Sequence, residues 1–143
     1  MKRDVVVSVT GFHSIDGDSN QISLVAPGSY FEKNGKYFLI YDELVEGEND
    51  PVRCTVLVSG DGRRAEIIRG SSGRLEFEAG KTTMCCYSTP YGPLYLTINT
   101  FGVSFTLTEE KYRLEIDYTV EMNEGAASEV HASVEAKPKA AVA

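Results

Sequence analysis

Along most of the chain, apolar and polar residues alternate one by one. The longest case runs through Tyr112, Leu114, Ile116, Tyr118, Val120 and Met122, set against Arg113, Glu115, Asp117, Thr119 and Glu121. A period of two places the two sets on opposite faces of a strand, so this segment predicts a strand with one buried and one wetted face. Shorter alternations predict strands at 5–12, 21–27, 52–59, 64–70, 74–79, 82–88, 94–100 and 101–108. The run 36–44 is apolar on both faces, with Tyr37, Leu39 and Tyr41 against Phe38 and Ile40, and reads as a strand packed on each side. A short strand at 29–33 and a weak one at 128–135 complete the set. No segment carries a sustained helical period.

Turn chemistry separates these runs. Asn34-Gly35 is the strongest short-range hairpin signal in the chain, and Asp16-Gly17-Asp18, Gly60-Asp61-Gly62 and Ser71-Ser72-Gly73 mark further turns. Asp16 and Asp18 lack the later acidic positions of a calcium loop and read as a hairpin turn. The Thr89-Pro90-Tyr91-Gly92-Pro93 stretch must also be a corner, because neither proline can donate to a ladder. Successive hairpins with tight connections predict an all-β fold, an antiparallel up-and-down barrel of about eight main strands plus short extras. The expected organisation is a single domain over 1–136, with a flexible tail at 137–143 that has too little apolar variety to pack.

Composition narrows the function classes. The 143 residues carry 14 Lys and Arg against 21 Asp and Glu, a formal charge of −7, which repels nucleic acid and anionic lipid head groups. No stretch approaches the length of a membrane span, and the N-terminal apolar run is too brief for a signal peptide, so the expected location is cytoplasmic, with no membrane partner. Three cysteines are an odd number without C-x-x-C spacing. Cys85 and Cys86 are neighbours whose side chains point to opposite faces of a strand, so free thiols are expected, with no metal and no cofactor.

Gly28-Ser29-Tyr30, Tyr41-Asp42-Glu43, Thr55, Arg69-Gly70, Phe77 and Gly80 form one ordered series. It continues through Tyr87-Ser88-Thr89-Pro90-Tyr91-Gly92, Leu94 and Thr100. In that order and spacing the chain resembles the YwiB-like family of bacterial proteins, a domain of unknown function, from about residue 3 to residue 136. The resemblance implies a calycin-like, that is lipocalin-like, barrel. It implies no substrate and no catalytic set.

Strand parity then selects a candidate interior site. Glu43 shares a face with Tyr37, Leu39 and Tyr41, and Arg69 shares one with Ala65 and Ile67, so both point into the barrel. A buried charge is costly unless paired, so the two are expected to meet, with Tyr41, Tyr87 and Thr55 completing the network. Leu39, Phe77 and Phe105 are the expected walls, and Tyr91 lies at the rim. The favoured function is the binding of a small, anionic or amphipathic molecule, for which arginine's planar fork suits a carboxylate. The alternative is an interaction or structural module with a barrel filled by its own side chains, in which exposed Tyr91 and Tyr95 leave room for a homodimer. An enzyme is less favoured, because His13 and His131 have no nucleophile at a telling spacing.

Overall fold

The computed structural model describes residues 3–15, 18–43, 50–70, 73–89, 92–109, 111–122 and 127–138. Ten strands account for nearly all of them. They are β1 (Arg3–Ile15), β2 (Asp18–Lys33), β3 (Lys36–Glu43), β4 (Val52–Val58) and β5 (Arg64–Arg69), then β6 (Gly73–Glu78), β7 (Thr82–Thr89), β8 (Gly92–Leu107), β9 (Tyr112–Met122) and β10 (Ala127–Pro138). The spatial order β6-β5-β4-β3-β2-β1-β10-β9-β8-β7 is a continuous antiparallel meander in which the first and last strands pair. The described residues contain no helix, so none is long and apolar enough to cross a membrane.

The up-and-down barrel is as expected, but its strands are fewer and longer than the alternation implied. Two expected breaks are absent. At Pro27-Gly28 the chain continues as β2, because up to Pro27 this strand pairs only with β1 and from Gly28 onward it also pairs with β3. Pro27 thus sits at a sheet edge, where a missing amide is tolerated. Gly28 is required by close packing, since a Cβ there would lie 2.6 Å from the Ile40 carbonyl oxygen and 2.8 Å from a Val7 methyl.

The second absent break lies at Thr100-Phe101, where β8 carries a bulge: Thr100 faces Tyr118, Gly102 faces Asp117, and Phe101 is the extra residue. One extra residue inverts the parity of everything after it. Ile98 and Thr100 point inward before the bulge, Val103 and Phe105 pack inward after it, and Phe101 is left 68% exposed. Asn34 and Gly35, with φ of 53° and 74°, form the tight β2–β3 turn that their sequence predicted. At the C-terminus the ladder runs past the expected boundary: Ala136 is buried, and Lys137 and Pro138 still pair with Val6 and Val5. Residues 136–138 are therefore part of the barrel, held by the neighbouring strand rather than by apolar content of their own. The rest of the expected tail lies outside the described residues.

β6 and β7 are consecutive in sequence, yet no ladder joins them among the described residues. Side chains and a turn close this seam instead. The Thr83 hydroxyl donates to the Glu76 carbonyl at 2.7 Å, and the turn between the strands docks on β8 through Gly80 N to Thr100 O (2.9 Å) and Thr100 N to Lys81 O (3.1 Å). Phe77 of β6 packs on Tyr118 of β9 with ring centroids 4.7 Å apart. Phe77, Gly80 and Thr100, three members of the family-like series, thus meet where the barrel closes without strand pairing.

Candidate functional site

The meander sorts its connections into two ends. The turns after β2, β4, β6 and β8 lie at one end, together with the outer ends of β1 and β10. That end is filled. Rings from four strands form a chain across it, Tyr37 on Phe105 (5.1 Å), Phe105 on Tyr112 (5.1 Å) and Tyr112 on Tyr30 (5.9 Å). Above them Val7, Leu39, Val56, Phe77, Leu114 and Ile116 are wholly buried. Burial holds the Tyr112 phenol far above the ordinary tyrosine range.

The opposite half of the interior is hollow, with a cavity of about 500 Å³. Its space comes from small inward residues on the central strands. Gly11 of β1 stands directly opposite Ala132 of β10, flanked by Val9 and Val130. The walls across from them are aliphatic: Ile67 and Leu75 on one side, Leu94, Leu96 and Val120 on the other. Tyr118 also lines the space, its phenol pushed up to about 12 by burial. On one flank β2 outruns β3, because residues 18–27 pair only with β1, so this edge of β2 has no ladder partner beside the cavity among the described residues.

A cluster of polar groups among the described residues interrupts the largely apolar lining. Tyr41, Cys54 and Arg69 lie in one cross-strand row, with Tyr41 opposite Cys54 and Cys54 opposite Arg69. Two residues beyond Tyr41, Glu43 reaches back to Arg69, giving an ion pair of 2.9 Å between Oε2 and Nη2. The pair is neither sealed nor free, with side chains 27% and 39% exposed for Glu43 and Arg69. The Cys54 thiol donates to the same Glu43 oxygen at 3.7 Å. Burial pushes that thiol up to about 11, with the nearby Glu43 carboxylate adding to the effect. Burial, and after it the Cys54 sulfur, holds the Tyr41 phenol well above its usual range.

The expected pairing of Glu43 with Arg69, and the inward position of Tyr41, are therefore as the parity argument required. Thr55 is not part of the network. It alternates with the buried Cys54 and Val56 and so faces outward, and Cys54 occupies the interior position assigned to it. Tyr87 stands opposite Leu94 in the β7–β8 register, but its side chain lies outside the described residues, as does Tyr91. The three expected walls also need correction. Leu39 and Phe105 belong to the filled half, and Phe77 backs Tyr118 rather than meeting the cavity. Large residues on the inner face plug the barrel, and the cavity lies where the inner face is small. The sequence signal for that was the pair of small residues at alternate positions in β10, Val130 and Ala132, in the segment that reads as the weakest strand.

The outer face carries the remaining titratable clusters. His131 pairs with Asp117 and lies 3.7 Å from Glu115, while Arg113 bridges Glu115 (2.8 Å) and Glu135 (3.3 Å). This places His131 on the opposite face of β10 from the cavity-lining Val130 and Ala132. Cys85 packs toward the core and Cys86 is exposed, as neighbouring positions on a strand must be. All three cysteines are free thiols.

Known proteins share this architecture. The uncharacterized β-barrel protein YwiB of Bacillus subtilis (strain 168) is 28% identical over 130 residues, covering 87% of each chain. The crystal structure of the ywiB protein from Bacillus subtilis superposes with a TM-score of 0.84 at 24% identity, covering 97% of this chain and 94% of that one. Residues 7–133 match the family described as a domain of unknown function, DUF1934. The chain therefore belongs to the DUF1934 family.

Proposed function

We propose that the protein binds one small, largely apolar molecule in the hollow half of the barrel. The observation that carries this reading is the cavity of about 500 Å³, lined mostly by apolar side chains, with the Glu43–Arg69 ion pair in its wall. That size lies in the range of small-molecule sites, with room for on the order of 15 non-hydrogen atoms at liquid density. Apolar walls supply affinity through burial, and the Glu43–Arg69 pair orients a polar head. The test is titration with the uncharged probe N-phenyl-1-naphthylamine, whose emission rises in apolar surroundings. Saturable one-to-one binding that Ala132→Phe abolishes, in a variant with an unchanged melting transition, is the expected result. Absence of saturable binding, or binding indifferent to Ala132→Phe, would overturn the reading.

A second reading, an interaction surface, draws on the outer face of β7 and β8. Met84 and Tyr95 are 82% and 62% exposed there, on either side of Cys86, which stands opposite Tyr95. Sedimentation velocity at rising concentration tests it. A dimer weakened by Met84→Lys favours a homodimer through this face, and a monomer at every concentration rejects it.

A further inference from the structure

Among the described residues that line the hollow half Arg69 is the one cation, and it already has a partner. Arg69 Nη2 lies 2.9 Å from Glu43 Oε2, and both residues line the cavity. The pair as a whole is neutral. A ligand carboxylate approaching Arg69 would meet Glu43 within the same few ångströms, and two like charges that close repel each other even where they are partly solvated. Displacing Glu43 instead would leave its charge unpaired beside the Cys54 thiol and the Tyr41 phenol, two weak donors in place of a guanidinium.

What the pair does offer is a donor and an acceptor side by side. The contacts within it use Nη2 of Arg69 and Oε2 of Glu43, so among the described residues Glu43 Oε1 and the Nη1 and Nε groups of Arg69 have no partner. A head group that both donates and accepts can bridge these two without breaking the ion pair. Alcohols, primary amides and lactams have that property. Carboxylates only accept.

We infer that Glu43 is a specificity-determining residue that turns the site away from carboxylates and toward uncharged head groups carrying a donor and an acceptor. This rests on the cavity being a ligand site, as proposed above. It also narrows the sequence-based expectation of an anionic or amphipathic ligand, because Glu43, the expected partner of Arg69, works against an anionic head group. Discrimination arises from a repulsive element built into the wall as much as from attraction to the preferred ligand.

The experiment is competition against bound N-phenyl-1-naphthylamine with decanol, decanamide and decanoate. All three have the same chain length and are used at neutral pH, below their aggregation concentrations. Decanol and decanamide are expected to displace the probe at concentrations about tenfold lower than decanoate in the native protein, with Glu43→Gln improving decanoate by about tenfold and leaving decanol nearly unchanged. A native protein that prefers decanoate, or a Glu43→Gln variant with unaltered preference, would overturn the inference while leaving the cavity reading intact. Failure of the probe itself to bind would remove the cavity reading, and the inference with it. The melting transition of Glu43→Gln, expected within a few degrees of the native one, separates lost selectivity from a lost fold.

Discussion

The two halves of this barrel are made by the same ten strands and differ in what those strands point inward. At the filled end the inner positions are Tyr30, Tyr37, Leu39, Phe77, Phe105, Tyr112 and Leu114. At the hollow end the same sheet offers Gly11, Val9, Val130 and Ala132, facing aliphatic residues too short to meet across the gap. A barrel of this strand number has more interior than short side chains can fill. Where large rings are supplied the space closes, and where they are withheld it stays open. Dense packing and open space are therefore segregated along the barrel axis.

Truncation of matched residues breaks that comparison most directly. Phe77→Ala, in the wholly buried ring against Tyr118, is expected to cost about 3–5 kcal/mol by urea denaturation. Leu96→Ala lines space that is already empty, so its cost should be roughly 1 kcal/mol. Equal costs would mean that the hollow half is packed in solution.

Alkaline titration gives the next largest effect. The Cys54 thiol is raised from 9.0 to about 11, so the unfolded chain releases this proton at lower pH than the folded one. The stability it contributes is complete below pH 9.0 and is lost as pH rises through about 11. Tyr118, raised from 10.0 to about 12, acts in the same direction one unit later. The melting temperature should fall above pH 9.0, and Cys54→Ala should remove the earlier part of that fall but not the later part. A melting curve of Cys54→Ala identical to the native one across this range would show that the thiol is not shielded. In the same sense, Ellman's reagent should modify the exposed Cys86 well before Cys54.

Smaller effects probe the seam and the ion pair. Thr83→Val removes the hydroxyl bond that helps bridge β6 and β7, with an expected loss of about 1 kcal/mol and faster amide exchange at Glu76 and its neighbours. The Glu43–Arg69 pair is partly solvated, so a double-mutant cycle through Glu43→Gln and Arg69→Gln should return a coupling of about 1 kcal/mol or less, weakened by salt. A coupling of several kcal/mol would place the pair in much drier surroundings.

Much of this architecture was legible because strand parity is local. Alternation in β9, the Asn34-Gly35 turn, the opposed faces of Cys85 and Cys86, and the inward direction of Glu43 and Arg69 all depend on a few consecutive residues. Errors arose where a residue's role depends on its neighbours in space. Thr55 and Cys54 are adjacent, and only the register against Tyr41 and Arg69 shows that the cysteine completes the polar row. The Phe101 bulge reads in sequence as the start of a new strand, since a one-residue parity shift looks the same in either case.

The chain by itself determined an antiparallel meander, the inner and outer face of most strands, and a cation and a carboxylate sharing the interior. Only the tertiary structure decided that β1 and β10 pair, that β6 and β7 close by side chains instead of a ladder, and that one half of the barrel is filled while the other is hollow. The reason is physical. Which face a side chain takes follows from the backbone beneath it, whereas empty space is a property of what stands opposite, contributed by strands as distant in sequence as Gly11 and Ala132.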